Sequence, residues 1–225
     1  MLIYGKQSIY YLIDHHPQKI EKLYLAKDVD KKEYSALMKH DFEVKRIPQN
    51  AAQQMSKSGN HQGYLADVED IVLKEVASLK KRNFVLILSS ITDVGNIGAI
   101  IRSAYALGVD AVVISGLKKI AFESIARSSS GALFDMPILF CTNVHDIMND
   151  LKTMNYEIYG ADIEGENIKD AVISSKRVLI LGSEGEGLPS RVLKKLDHKV
   201  KIEMAHGFDS LNVSAAGAIL MDRMR

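Results

Sequence analysis

The sequence is poor in the residues that staple a fold, bind a metal or span a membrane. It has a single cysteine, Cys141, in 225 residues, which excludes an intrachain disulfide and fits a reducing compartment. Its seven histidines are scattered. Even the adjacent His15 and His16, followed by Pro17, have no ligand set around them, so no metal site is expected. No apolar run approaches the length of a membrane span. The opening stretch, MLIYGKQSIYY, lacks the basic-then-apolar plan of a signal peptide, and a cytoplasmic protein is expected. Charge of one sign is missing too: 29 basic residues face 28 acidic ones, a formal net charge of +1. Overall charge therefore gives no argument for nucleic acid, and any such footprint must be a local patch. Two nucleotide signatures are absent. No GxGxxG follows a first strand, which speaks against a nucleotide-cofactor oxidoreductase. No glycine loop ends in Gly-Lys-Ser/Thr, which speaks against a nucleoside triphosphate site.

What is present reads as a globular chain, 47% hydrophobic and 25% charged, long enough for one large domain or two modest ones. No internal repeat or low-complexity tract appears. Residues 1–68 alternate helix and strand. Helices are expected at Gly5–Asp14 and Lys31–His40, a helical turn at Ala51–Ser56, and strands at Ile20–Ala26, Phe42–Ile47 and Tyr64–Val68. A sheet covered by helices follows. Residues 69–83 change character and read as a linker, partly helical, ending in the basic run Lys80–Arg82. From Phe84 to residue 225 the alternation is strict. Strands are expected at Phe84–Leu88, Ala111–Ile114, Ile138–Phe140 and Glu157–Ala161. Helices are expected at Asn96–Leu107, Ile120–Ser128 and Val144–Met154, and two more strand–helix pairs close the chain. This pattern predicts a mostly parallel sheet covered on both faces.

Three blocks in this second part carry the chemistry. VLILGSEGEGLP begins at Val178 as an apolar run, the sign of a buried strand. It continues through Gly182, Gly185 and Gly187, and Pro189 then opens a helix. A glycine-rich bend after a buried strand lets a ligand meet bare backbone. Glu184 and Glu186 would repel a polyphosphate, so a neutral or cationic ligand fits this loop better. In KIEMAHGFDSLNVSAAGA (201–218), Ile202 and Met204 alternate with charged residues as on a short strand. Gly207–Asp209 read as a bend, and Ser210 or Asn212 as the cap of a small apolar helix. In DVGNIGAIIRSA (93–104), Asn96 stands at the expected N-cap of a helix. Arg102 lies in the apolar run GAIIRSAYAL, where a guanidinium is costly unless it is paired or aimed into a site.

In order and spacing these blocks resemble the SpoU (TrmH) family of RNA ribose 2′-O-methyltransferases, closely over residues 84–225 and more loosely over 1–68. The YGKQSIYYLI opening and the HQGYLADV segment resemble the substrate-binding domain that precedes the catalytic one in many of these enzymes. The resemblance implies a SPOUT-type α/β domain with a trefoil knot, which no periodicity can show. It also implies S-adenosylmethionine as cofactor and a homodimer. The substrate it favours is a guanosine of large-subunit ribosomal RNA, ahead of transfer RNA. By the same resemblance Asn96, Arg102, Glu184, Ser210 and Asn212 match catalytic or RNA-binding positions, and Glu184 is expected to hold Arg102 or Asn212. Gly182, Ile202 and Leu211 match positions whose backbone grips the cofactor's adenosine, with Leu181, Met204 and Ser214 added to them. Candidate RNA contacts are Lys6, Gln7, Lys45, Arg46, His61 and Gln62, with Arg127 of the RSSSG segment. Val94 and Glu203 stand where the family often has proline. A non-catalytic RNA-binding protein of the same fold is the rival reading, and the complete set of five residues speaks against it.

Overall fold

The two stretches of alternating strand and helix build two separate sheets. The computed structural model describes residues 1–207 and 209–225. The first stretch gives β1 (Leu2–Tyr4), α1 (Lys6–His15), β2 (Ile20–Leu25), α2 (Lys31–Leu37), β3 (Glu43–Arg46), α3 (Gln49–Met55) and β4 (Tyr64–Val68). Its strands lie in the order β1-β4-β2-β3, with β1 and β2 antiparallel to β4 and β3 parallel to β2. Ser8, Ile9, Leu12 and Ile13 form the buried stripe of α1, the spacing by which a helix covers a sheet. The linker is less helical than expected: residues 69–75 carry no helix, and Val76–Lys81 is a 3-10 turn anchored by buried Leu79.

The second stretch gives β5 (Phe84–Ser89), α4 (Val94–Ala106), β6 (Ala111–Ser115), α5 (Phe122–Ser128), β7 (Ile138–Cys141) and α6 (Val144–Thr153). There follow β8 (Glu157–Asn167), β9 (Arg177–Leu181), α7 (Ser190–Leu193), β10 (His198–Lys201) and α8 (Val213–Met224). The strand order is β10-β8-β9-β5-β6-β7, and every pairing is parallel. β5 and β6 are buried along their whole length and β9 from Val178 onward, as apolar runs covered on both faces must be. Because the strands are parallel, the loops that follow β5, β9 and β10 open at one edge of the sheet, where α/β folds place their ligands. Among the described residues no helix is long and apolar enough to cross a membrane.

Two boundaries near the sheet edge that carries the glycine loop differ from the sequence reading. β8 runs past Ala161 to Asn167. The last strand is His198–Lys201, and Ile202–Met204 lie beyond it. Lys201 pairs with Asn167, the last residue of β8, so the ladder has no further partner there. The bend expected at Gly207–Asp209 includes Phe208, which lies outside the described residues.

The two sheets are joined through α5 and the turn after it. Buried Ser8 donates to the Ala126 carbonyl at 3.0 Å. Asp135 accepts from the Tyr11 hydroxyl and sits 2.7 Å from His16 Nε2. Gly131 has φ +93°, and a Cβ there would come within 2.6 Å of the Tyr11 ring, so only glycine lets that ring lie against the turn. One apolar cluster runs through both units, from Ile3, Ile9 and Leu23 to Phe84, Ile100 and Ile125.

Candidate active site

The site begins with how α4 starts. Asp93, not Asn96, caps the helix: its side chain accepts from the Asn96 backbone N–H at 2.7 Å. The orphan donor that Asp93 meets is the Asn96 N–H itself, and the Asn96 side chain has no cap to make. Its amide donates from Nδ2 to Glu184 Oε1 at 2.6 Å.

Glu184 stands in the loop after β9. The loop folds back on itself, with Gly187 N–H donating to the Ser183 carbonyl at 2.9 Å and Gly187 at φ +64°. A Cβ on Gly182 would sit 2.3 Å from the Gly187 carbonyl group and 2.6 Å from Leu188 N. Gly182 is therefore demanded by the loop's own backbone, a tighter constraint than the approach of a ligand.

Asn212 brings in the third block. It is the N-cap of α8, and its Oδ1 accepts from Ser214 N–H at 2.9 Å and from Ser214 Oγ at 2.6 Å. With the oxygen so engaged, Nδ2 points the other way and donates to Glu184 Oε1 at 2.8 Å and to Asn96 Oδ1 at 3.1 Å. Three blocks far apart in sequence thus meet at one carboxylate oxygen. Of the alternatives expected for Glu184 it holds Asn212, and with it Asn96; Arg102 bonds elsewhere, donating from Nη1 to Ser130 Oγ at 3.2 Å. Arg102 is also exposed, so the burial cost expected of its guanidinium does not arise. The apolar residues around it, Ile100, Ile101 and Ala104, point into the core instead.

Beside this junction lies a cavity of about 620 Å³ lined by Leu181, Gly182, Ile202, Met204, Ser210 and Leu211, with Val213 and Leu220 from α8. Ser214 is not on its wall and serves Asn212 instead. The extension of β8 adds Asp162 and Ile163, which the sequence reading missed. The only signal was that the alternation of apolar and charged residues carries on for one residue pair past Ala161. Burial opposes ionisation of Asp162. The ion pair with Lys199 Nζ at 2.8 Å and the hydrogen bond from Glu164 N–H outweigh it and hold the carboxyl below the usual carboxylate range. Among the described residues no group of three or more histidine, cysteine or acidic side chains is placed to hold a metal.

A family description, SpoU rRNA Methylase family, matches residues 83–222. The chain belongs to the SpoU rRNA methylase family. A second description, RNA 2′-O ribose methyltransferase substrate binding, matches residues 2–71. Among relatives of this SpoU protein, one from Borreliella burgdorferi named "Uncharacterized tRNA/rRNA methyltransferase" is 30% identical, covering 88% of this chain and 94% of its own. The Salmonella typhimurium 23S rRNA (guanosine-2′-O-)-methyltransferase RlmB is 28% identical, covering 98% and 96%. The fold is also that of the SpoU methyltransferase AviRb from Streptomyces viridochromogenes, solved in complex with AdoMet. The TM-score is 0.81 at 23% identity, covering 100% of this chain and 88% of that one.

The candidate RNA contacts of the SpoU protein sort into three groups. His61 is a correction: it is buried, with Nε2 3.2 Å from Gln53 Oε1 and Nδ1 accepting from Gly63 N–H at 3.1 Å. It holds the loop before β4 and faces no solvent. Arg46 lies over the Tyr34 ring and 3.5 Å from Asp28, while Lys45 beside it is exposed. Lys6, Gln7, Gln62 and Arg127 are exposed, and Gln62 Oε1 accepts from Lys6 N–H at 3.0 Å.

Proposed function

We propose that this SpoU-family protein uses S-adenosylmethionine to methylate a ribose 2′-hydroxyl in RNA, with a guanosine of large-subunit ribosomal RNA as the favoured target. The observation that carries this reading is the meeting of Asn96, Glu184 and Asn212 beside a cavity that Glu184 itself lines. Residues 1–68 serve as the RNA-binding domain, 69–83 as the linker and 84–225 as the catalytic domain.

The cavity suits the cofactor. Its walls are aliphatic at Leu181, Ile202, Met204 and Leu220, and the backbone past Lys201 has left the sheet ladder. Adenosine in such a cleft needs shape and main-chain hydrogen bonds more than charge. Bound there, the cofactor would supply a methyl group already activated by a positive sulfonium. Glu184 keeps its position through two amide donors. Together with Glu186 it makes the loop hospitable to a cation and hostile to a polyphosphate. Arg102 acts by its charge, steadying the 2′-oxygen or an adjacent phosphate. Ser210, on the cavity wall, stands between cofactor and RNA.

Three further readings belong with this one. The return of α8 against α4 and β9 supports a threaded, trefoil-knotted C-terminal segment. Tyr105 on α4 and Ile219 on α8 are exposed apolar residues that a homodimer would cover. The lone Cys141 and an RNA substrate support work in the cytoplasm.

The test is a map of 2′-O-methyl groups in ribosomal and transfer RNA from cells with and without the protein. A protein-dependent guanosine in large-subunit RNA is expected. A transfer RNA site would move the substrate, and no protein-dependent site in either pool would leave an RNA-binding protein without catalysis.

A further inference from the structure

Four cations succeed one another from the first sheet to the helix that carries Asn96, linked by a shared ring, a glycine and a serine. Lys27 Nζ lies 4.6 Å from the centre of the Tyr64 ring, and Lys6 Nζ lies 5.9 Å from the same ring. Lys6 follows Gly5, and a Cβ on Gly5 would sit 3.6 Å from Arg127 Cγ. The Arg127 guanidinium rests over the Tyr4 ring at 5.4 Å. Three residues on, Ser130 accepts from Arg102, on the helix whose Asn96 joins Glu184 and Asn212. All four side chains are exposed. Among the described residues none of them pairs with a carboxylate. Lys6 and Lys27 face one carboxylate, Glu33, without forming an ion pair with it, and Glu33 also accepts from the hydroxyls of Tyr10 and Tyr64. Some other surface cations are matched locally, as Lys22 is by Glu43 and Lys152 by Asp197; what sets these four apart is their succession toward the site.

A second basic surface gives the contrast. Lys80–Arg82 gather near Lys176, which donates to the Lys80 carbonyl at 3.4 Å. They sit where β5 and β9 begin, at Phe84 and Arg177, whereas the candidate site lies where those strands end. That run is a solubilising face on the wrong edge of the sheet.

We infer that the line Lys27–Lys6–Arg127–Arg102 is a phosphate track, which holds the backbone of a single RNA strand across the junction of the two sheets and leads it to the Asn96–Glu184–Asn212 site. The inference rests on the reading of the protein as an RNA methyltransferase and adds the path of its substrate. With a net charge of +1 the molecule as a whole does not attract a polyanion, so attraction must come from such a local feature. A flexible single strand can follow a line of cations that bends from one unit to the next. Phosphate contacts of this kind set position and register and carry no base preference.

The test uses the full chain without cofactor and a fluorescein-labelled unstructured oligouridylate, with affinity followed against salt concentration. Lys6→Gln, Lys27→Gln and Arg127→Gln should each weaken binding about fivefold near 0.1 M salt and lower the log–log salt slope by about 0.7. Arg127→Lys should keep the slope, which separates lost charge from lost packing on Tyr4. Lys80→Gln and Lys81→Gln should change neither quantity. The track is overturned if the three track variants leave the slope unchanged, or if the Lys80 and Lys81 variants carry the loss. Those results with methyl transfer intact would refute the track and leave the activity standing. The expected slopes in a protein that methylates no RNA would support the track and refute the activity.

Discussion

Asn212 does two things with one amide. Its oxygen caps α8, and that engagement turns its nitrogen toward Glu184 and Asn96. At the same scale Asp93 takes the cap of α4, and the Asn96 side chain has none to make. The sequence reading placed the α4 cap at Asn96 because asparagine is a favoured cap; Asp93, three residues earlier, is equally favoured. Residue type cannot rank the two, and only the backbone geometry decides. Arg102 is the residue on which the mechanism is most exposed to test. If it stabilises charge on the 2′-oxygen, Arg102→Ala should slow single-turnover methyl transfer by roughly a hundredfold or more, about 3 kcal/mol, and leave cofactor affinity nearly unchanged. Arg102→Lys should recover part of the rate, since it keeps the charge and loses the planar fork. A chemical step in Arg102→Ala within about threefold of wild type, with RNA affinity alone reduced, would leave Arg102 its phosphate contact and no part in the chemistry.

Among the elements, the strands and helices around the site were legible wherever their hydrophobic period was strong. β5, β6 and β9 announce themselves as apolar runs. Ile202–Met204 shows the limit of that reading, because it alternates like a strand yet has no neighbour to pair with. Whether alternation becomes ladder depends on how far β8 extends, and nothing near Ile202 encodes that. The glycine loop is a second instance. Its glycines were legible, but the sequence alone suggested room for a ligand, and the structure shows that Gly182 is bound by Gly187 and Leu188. Gly182→Ala should therefore open the loop and lose S-adenosylmethionine affinity together with stability, on the order of 1–3 kcal/mol. Calorimetric titration beside a thermal melt checks both. Undiminished affinity at an unchanged melting temperature would refute the role given to this loop.

Across the whole molecule, the change of composition at residues 69–83 pointed to two units, and two sheets are what the chain builds. The junction between them was not legible. Ser8 with Ala126 and Tyr11 and His16 with Asp135 join residues more than a hundred positions apart, and no local pattern records such a match. Gly131 is the weak point of that contact, since a valine there meets both an unfavourable φ and the Tyr11 ring. Gly131→Val should undock the first unit and split thermal unfolding into two steps, whereas Tyr11→Phe should lower stability by about 1 kcal/mol and keep one step. Scanning calorimetry reads the number of steps directly, and a single undisturbed transition in Gly131→Val would show that the junction is not what couples the units.

The apolar cluster shared by the two sheets has a consequence for how the protein reports its ligands. Units that melt together have one melting temperature, and mass action then raises that temperature for any ligand of the native state, whichever unit it touches. An RNA fragment resting on Lys6 and Lys27 would protect amides in β9, and S-adenosylmethionine beside Leu181 would protect amides in β4. Each end of the molecule is in this sense a thermometer for the other.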